Sequence, residues 1–415
     1  MREIIIFGAG AAGKSLLKKL DRNSVKFFVD NNTLLIGKEI EGIPIISVKM
    51  LKEIFNSEKH ILVVSPENYF DDISNQLKTI SIDVCVKASN FLLWNKMVRS
   101  DKKRIVLANT HMGTNIGDHL ITLAEIDFFK KYLTDYEVIE LTASEIEERF
   151  DDIKEYITTE DIIAVSGGGY MGSLWPVYGE YNVRRIVSGL PNNKIIIMPQ
   201  SIYFENTNEG KEQLRISNEV YLFHKNLIVC IREPERLDYI DNLFGNKLNL
   251  KVYPDMVFSM ERQAGCSMRK GIGLCFRTDK ESLISEEKKQ EIIELLDDEI
   301  TLFDMHTDKL VVGFERNECI NKIISMISGF RYVITDRLHC MLVCMVSGTP
   351  CIAFDNLTGK LSNVHQWIDD SSYINIVKSI EEAIAYVRQY SGNEEDKWCS
   401  WSNTYKRFED LAKEF

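Results

Sequence analysis

The sequence predicts an α/β protein in which a small N-terminal module precedes two larger parallel sheets. Three observations predict this fold class. Short aliphatic runs alternate with amphipathic helical patterns along the chain, which is typical of βα units. The chain has 415 residues, too many for a single hydrophobic core. Its composition, with 45% hydrophobic and 27% charged residues, is that of an ordinary globular protein.

The first segment, residues 1–97, alternates short strands and helices and is predicted to be a Rossmann-like module. Its opening, Gly8–Ser15 (GAGAAGKS), satisfies both the dinucleotide fingerprint GxGxxG and the phosphate-loop pattern GxxxxGKS. Asp30 ends the next predicted strand, where a carboxylate can bind a ribose, and this favours the Rossmann interpretation. The candidate ligand residues are Gly8, Gly10, Gly13 and Asp30. A tight turn without any ligand would also explain the glycines.

Two longer α/β series follow, and each predicts a doubly wound sheet. Residues 104–262 contain six predicted strands, and residues 263–415 contain four. A helix predicted at Trp401–Glu414 can cross back to the first of these two lobes. Tandem sheets with a returning helix are typical of the two-lobed GT-B architecture, with substrate between the lobes. The linker before the lobes is predicted near Arg99–Arg104.

Composition and charge exclude several classes of protein. A net charge of −12 argues against general binding to nucleic acid or anionic membranes, which needs basic surface. No apolar run approaches the roughly 18–20 residues that span a bilayer, and the first residues read into a strand rather than a signal peptide. The nine cysteines indicate packing in a reducing compartment. We therefore expect a soluble, cytoplasmic protein without a metal site.

Four predicted strand ends in the paired sheets carry residues that a plain connection does not need. The segment 115–118 (NIGD) leads into a helix that Asp118 is expected to cap. Three consecutive glycines at 167–169 leave backbone N–H groups open to a ligand. Gln200 offers an amide and Arg232 a guanidinium at the next two strand ends. These loops are therefore candidates for a binding cleft.

The segment Thr335–His339 joins a strand to an apolar helix and is the motif that predicts the most specific chemistry. A helix N-terminus carries about half a positive charge and unpaired N–H groups, so Arg337 and His339 would form an anion site with a proton donor. Phosphate or carboxylate would fit there. The alternative is that Asp336 caps the helix and pairs with Arg337, which leaves His339 as an ordinary residue of the first turn.

These motifs, in their order and spacing, resemble the polysaccharide pyruvyl transferase family from about Arg104 to Trp367. The family transfers the enolpyruvyl carbons of phosphoenolpyruvate to two hydroxyls of a sugar as a cyclic ketal. One departure is Glu233-Pro234, where the family often has Arg-Asp and a following serine. The motifs that carry the resemblance are NIGD at 115–118, GGG at 167–169, PQSI at 199–202, IRE at 231–233, PD at 254–255, DRLH at 336–339 and SGTPCIAF at 347–354, after which the resemblance reaches Lys360.

The resemblance implies the roles of individual residues. Arg232, Arg337 and Leu338 would line the phosphoenolpyruvate site, and His339 would transfer protons, with no metal or further cofactor. Because the anions are assigned to the arginine-rich face and the cleft has two sides, we expect the acceptor against loops of the first lobe, at Asn115, Gly117, Asp118, Gly168, Gly169 and Gln200. It would be a glycan for the bacterial surface, an exopolysaccharide or capsule. A polyprenyl-diphosphate carrier would bring the enzyme into transient contact with the inner membrane face.

The N-terminal module has a resemblance of its own. The segments Phe28–Asn32 and Gly37–Ile46 resemble the small Rossmann module of bacterial sugar acyltransferases, which implies a nucleotide-sugar or a dinucleotide as its ligand. Two rival functions stay open at this point. One is a GT-B glycosyltransferase that uses a nucleotide-sugar, and the other is a non-catalytic scaffold that senses one. The sequence predicts no oligomeric state.

Overall fold

The computed structural model describes residues 2–98, 102–261, 269–279, 281–311, 313–368, 373–389 and 402–415. The chain divides into two compact units, Met1–Arg99 and Ser100–Phe415. Part of the predicted linker Arg99–Arg104 lies outside the described residues. So do Trp401, where the last helix was predicted to begin, and both residues of the predicted boundary between the lobes, 262–263.

The N-terminal unit is a sheet covered by short helices on both faces. Its central strands are buried aliphatic runs, as expected where helices cover both sides. The elements are β1 (Glu3–Phe7), α1 (Ala11–Leu17), β2 (Val25–Val29), β3 (Glu39–Ile40), β4 (Ile43–Ile46), α2 (Val48–Ile54), β5 (His60–Val64), α3 (Phe70–Lys78), β6 (Val86–Lys87) and α4 (Ala88–Met97). The strand order is β3-β4-β2-β1-β5-β6, and β3 alone among them pairs antiparallel.

The second sheet forms the first lobe of the larger unit. Its elements are β7 (Lys103–Thr110), α5 (Ile116–Tyr132), β8 (Tyr136–Thr142), α6 (Ala143–Lys154), β9 (Ile162–Val165), β10 (Gly168–Gly172), α7 (Tyr181–Gly189), β11 (Lys194–Tyr203), α8 (Asn208–Phe223), β12 (Leu227–Ile231), α9 (Leu237–Leu243) and β13 (Asn249–Val252). The order is β13-β12-β11-β9-β7-β8, and β10 pairs with the end of β11. The sequence did not predict β10, because glycine-rich GGYMG has no strand pattern.

The third sheet forms the second lobe. Its elements are β14 (Ile272–Cys275), α10 (Glu286–Leu295), β15 (Ile300–Leu302), α11 (Arg316–Ser328), β16 (Tyr332–Thr335), α12 (Leu338–Ser347), β17 (Cys351–Phe354), α13 (Lys360–His365), β18 (Ile374–Val377), α14 (Ile380–Gln389) and α15 (Ser402–Ala412). All pairings in the order β15-β14-β16-β17-β18 are parallel. Two such sheets within one unit form the predicted GT-B-like pair of lobes.

One hydrophobic core runs through both lobes. Helix α12 is apolar on all sides and almost wholly buried, as expected for a helix inside a core. Phe408 of α15 is also fully buried, and its ring lies 6.2 Å from that of Phe128 in α5. The last helix therefore packs against the first lobe. In the described part of the chain, no helix combines the length and the apolar character needed to cross a membrane.

We expect a chain that begins at Lys102 to fold without the N-terminal unit, because each unit has its own sheet and core. Circular dichroism and calorimetry of the truncated protein should show native secondary structure and one cooperative thermal transition. An aggregated product, or one without a cooperative transition, would place the boundary elsewhere.

Candidate functional site

A cleft of about 360 Å³ lies where the carboxyl ends of the two large sheets meet. Ligands of open α/β sheets bind at such strand ends. Backbone bonds close one end of the cleft, since the Ile116 N–H donates to the Met305 carbonyl at 2.7 Å and the Thr307 N–H to Thr114 at 2.9 Å. The predicted residues that line it are Asn115, Asp118, Gly169, Arg232, Arg337, Leu338 and His339.

Arg232 is buried at the end of β12 and is held on two sides. Its Nε donates to Ser201 Oγ at 2.9 Å, and one terminal nitrogen pairs with the Asp255 carboxylate. The other terminal nitrogen faces Gly169, where an added methyl group would lie 3.1 Å from it. Only this second nitrogen is therefore directed at the cleft and can meet a ligand.

His339 stands in the first turn of α12, beside both Asp255 and the first lobe. Its Nε2 lies 3.8 Å from Asp255 Oδ2. A methyl group on Gly117 would lie 2.3 Å from Nδ1, so only glycine leaves room for this imidazole. Burial would raise the pKa of Asp255, but Arg232 and His339 outweigh burial and hold that pKa at about 2. Asp255 therefore stays ionised next to the histidine.

The alternative that Asp336 caps α12 and pairs with Arg337 is wrong, because the N-cap residue is Arg337 and the Asp336 carboxylate has other partners. Asp336 instead accepts from the Arg277 N–H at 2.6 Å and from Ser282 Oγ at 3.2 Å. Arg337 forms an ion pair with Asp304 at 2.8 Å, and its Nε is buried without a partner. Among the residues that the structure describes, no side chain caps α12. Its first N–H groups and the Arg337 guanidinium therefore remain suited to an anion.

Asn115, not Asp118, caps helix α5, so the cap predicted from the sequence was wrong. The side-chain oxygen Oδ1 of Asn115 accepts from the Gly117 N–H at 3.0 Å, and its side-chain nitrogen Nδ2 donates to Asp118 Oδ2 at 2.8 Å. Asp118 lies one turn further, 3.7 Å from His111 Nδ1. Burial would raise the pKa of Asp118, but His111, His339 and Arg232 together lower it. Asp118 is thus an ionised carboxylate at the cleft that can accept hydrogen bonds.

The glycine turn after β9 rests on a buried carboxyl group. Glu125 accepts from the Gly167 N–H at 2.6 Å and from Ser166 Oγ at 2.7 Å. Burial raises the pKa of Glu125 to about 8. Gly168 has a φ of +143°, which few other residues adopt. Gly168 and Gln200 support the turn from behind the cleft, since Gln200 is buried and donates to the Ser166 carbonyl at 2.7 Å.

Sequence reasoning missed an ion-pair cluster from the second lobe. Lys360 and Glu281 line the cleft, are both buried and pair at 3.0 Å. Burial lowers the pKa of Lys360; it would raise that of Glu281, but Lys360 and Arg277 hold it below its usual value. Lys360 Nζ would lie 3.1 Å from a methyl group on Gly169, on the same side as Arg232. The charged run 277–281 after β14 is the sequence signal that could have revealed Arg277 and Glu281.

The predicted ligand residues of the N-terminal unit have different structural roles. Gly8 has a φ of +102°, and a methyl group on Gly13 would lie 1.9 Å from the Gly8 carbonyl oxygen, so both glycines are required by the turn itself. A methyl group on Gly10 would meet no atom within 4 Å. Asp30 already accepts from the Ala9 N–H at 2.7 Å. It borders a cleft of about 280 Å³ that Asp72 also lines.

Comparisons with known proteins match two parts of the chain to two families. Residues 115–358 match the family described as Polysaccharide pyruvyl transferase, and residues 1–85 match C2185-like, N-terminal. General stress protein 30 of Bacillus subtilis (strain 168) is 31% identical over 309 residues, 72% of this chain and 89% of that protein. Pyruvyl transferase 1 of Schizosaccharomyces pombe is 23% identical over 321 residues, 70% and 76% of the two chains.

One solved structure also aligns with the chain. It is a crystal structure of a functionally uncharacterised protein from Klebsiella pneumoniae, 20% identical, with a TM-score of 0.45 over 70% of this chain and 97% of the other. The family match at 115–358 contains every residue predicted from the sequence for the donor and the acceptor.

We expect Gly13→Ala to destabilise the N-terminal unit by roughly 1–3 kcal/mol or more, because the new methyl group meets a backbone oxygen that cannot give way. Gly10→Ala is the matched control and should cost less, because its methyl group meets no atom within 4 Å and only the N-cap preference of α1 opposes it. Chemical denaturation of both variants measures the difference. Equal losses in the two would contradict the geometry of the turn.

We expect Glu125→Gln to weaken the dependence of stability on pH. The pKa of Glu125 is raised from 4.5 to about 8 in the folded protein, so its contribution is full below pH 4.5 and is lost as the pH rises through about 8. A neutral amide removes that slope. Thermal midpoints recorded across this range for the parent, Glu125→Gln and the exposed control Glu291→Gln would test it, and parallel curves for all three would refute it.

Proposed function

Because this chain belongs to the polysaccharide pyruvyl transferase family, we propose that it transfers pyruvate from phosphoenolpyruvate to two hydroxyls of a glycan sugar. The observation that carries the proposal is one cleft in which Arg232, Arg337 and Lys360 surround the uncapped start of α12, with His339 in its first turn. A small dianionic or trianionic substrate is the ligand that such a site favours.

Phosphoenolpyruvate matches the site because it carries a phosphate and a carboxylate on a three-carbon frame. Arg337 offers a planar guanidinium with an unpartnered Nε, and the N–H groups of α12 add partial positive charge. Lys360 Nζ and the terminal nitrogen of Arg232 that does not pair with Asp255 both lie beside Gly169. We propose that these groups hold the two anionic ends and that Leu338 packs against the carbon frame.

The proposed reaction balances without a metal or a redox partner. C3 of phosphoenolpyruvate gains a proton, C2 becomes cationic, and one sugar hydroxyl attacks it. Phosphate then leaves C2, and the second hydroxyl closes the ketal. The two hydroxyl protons end on C3 and on phosphate. His339, next to ionised Asp255, is the group proposed to carry them, because an imidazole exchanges protons near neutral pH.

We propose that the acceptor lies on the wall formed by Asn115 and Asp118, because this wall adjoins His339 through Gly117. An acceptor hydroxyl there would be close to the proposed proton carrier. The acceptor would be a glycan of the bacterial surface, and a polyprenyl carrier would bring the enzyme to the inner membrane face. The N-terminal unit would bind a nucleotide-sugar or a dinucleotide beside Asp30.

The direct test is phosphate release from phosphoenolpyruvate, measured against free and lipid-linked glycans. His339→Gln should lower kcat by roughly 10²–10⁴-fold, the usual contribution of acid–base catalysis, while phosphoenolpyruvate still binds. His60→Gln, in the N-terminal unit, is the matched control. A folded His339→Gln protein with parental kcat would remove this residue from the mechanism.

Arginine variants separate binding from proton transfer in the same assay. Arg337→Ala should raise the activation free energy that kcat/KM reports by roughly 1.5–3 kcal/mol, mainly because phosphoenolpyruvate binds more weakly. Arg337→Lys should restore little of this loss. Arg215→Ala, on exposed α8, is the control. Arg232→Ala is a poorer probe, because it leaves Asp255 buried without its partner and should cost several kcal/mol of stability, about 3–5. Parental donor affinity in Arg337→Ala would contradict the assignment.

A further inference from the structure

The rim of the cleft carries aromatic and aliphatic side chains that the donor chemistry leaves unused. Trp175, Val177 and Tyr178 line the cleft, and they are 39%, 55% and 56% exposed. All three lie in the short connection between β10 and α7. Charged groups such as Arg277 and Asp279 line the cleft as well. The rim thus combines apolar faces with polar groups at the entrance of one site.

The aromatic rim is held in place from both ends. Leu174 is buried just before it, and Glu180, just after it, is fully buried. The Glu180 carboxylate accepts from the Gly172 N–H at 2.8 Å and from the Tyr221 hydroxyl at 2.6 Å, and Ser217 also donates to it. A segment anchored in this way presents its side chains in a fixed arrangement, which lowers the entropic cost of binding.

Tyr178 has a φ of +60°, a left-handed conformation that costs a non-glycine residue free energy. In that conformation the phenol ring lies half-exposed at the cleft. Trp175 is held by a bond to the opposite lobe, since its Nε1 donates to Glu281 Oε1 at 3.1 Å. Glu281 in turn pairs with Lys360. The indole therefore connects the rim to the cations of the proposed donor site.

We propose that Trp175 and Tyr178 form a stacking platform for one pyranose ring of the acceptor. This inference rests on the proposed function and adds the place and the chemistry of acceptor binding. A pyranose has an apolar face of C–H groups and an edge of hydroxyls, which matches aromatic faces bordered by polar groups. An isoprenoid chain would need continuous apolar surface, whereas the charged Arg277 and Asp279 line the same cleft.

Trp175 provides two interactions, an aromatic face and a hydrogen bond to Glu281, and substitutions can separate them. Trp175→Phe keeps an aromatic face but loses the hydrogen bond to Glu281, and Trp175→Ala loses both. Tyr178→Ala removes the second ring and leaves that hydrogen bond intact. Phe223→Ala, at the exposed end of α8, is the control for loss of an exposed aromatic ring away from the cleft.

Binding is measured by saturation-transfer NMR, with aromatic protein protons irradiated and methyl glycosides of glucose, galactose, mannose and N-acetylhexosamines as probes. The parent should transfer saturation to C–H protons of at least one probe. Trp175→Ala and Tyr178→Ala should weaken its binding and raise acceptor KM by about 10-fold, the contribution of roughly one aromatic contact. Trp175→Phe should fall between Trp175→Ala and the parent, and phosphoenolpyruvate binding should stay unchanged in Tyr178→Ala.

The outcomes for the platform and for the proposed reaction are distinct. The platform is refuted if no probe receives saturation, if both alanine variants bind as the parent does, or if Trp175→Phe is as weak as Trp175→Ala. The reaction is judged separately by phosphoenolpyruvate-dependent phosphate release. If the protein binds these sugars through Trp175 but releases no phosphate, the platform is supported and the proposed reaction is contradicted.

Discussion

The buried guanidinium of Arg232 constrains the rest of the site. A charge in this position needs an opposite charge and hydrogen-bond partners, and Asp255 and Ser201 supply them on two of its three sides. The same Asp255 oxygen lies 3.8 Å from His339 Nε2. One carboxylate of the first lobe therefore neutralises an arginine of its own sheet and approaches the histidine of the other. The lobes must be aligned closely for this arrangement to exist.

Packing enforces that alignment from the other side of His339. Glycine at 117 gives the imidazole the space that any side chain would occupy, and the backbone bonds between 114–116 and 305–307 fix the two loops beside it. Helix α12 carries the histidine into the shared core, where its apolar surface is buried in every direction. Arg337 and His339 of the cleft thus stand at the start of an apolar, buried helix.

The sequence was sufficient for the elements that repeat a simple pattern. The strands of buried aliphatic residues and the loops that follow them were predictable, because parallel strands place their carboxyl ends at one edge. The cap of α5 was predicted wrongly, since Asn115 and Asp118 are both good caps and only geometry distinguishes them. Strand β10 was missed because its pairing comes from an extension of β11, not from its own residues. Trp175 carries no local signal at all, since its partner Glu281 is distant in sequence.

The glycines illustrate why a motif alone does not identify a ligand site. A methyl group added at Gly13 would meet the Gly8 carbonyl oxygen. One added at Gly117 would meet His339, and one added at Gly169 would meet both Arg232 and Lys360. The first contact concerns only the backbone of a turn, whereas the other two make room for charged or titratable side chains at the cleft. Gly10 meets nothing, and so it alone of the first fingerprint glycines is not explained by packing. Gly10 is also the N-cap residue of α1, a position where glycine is itself favoured, so a ligand role for it stays a prediction.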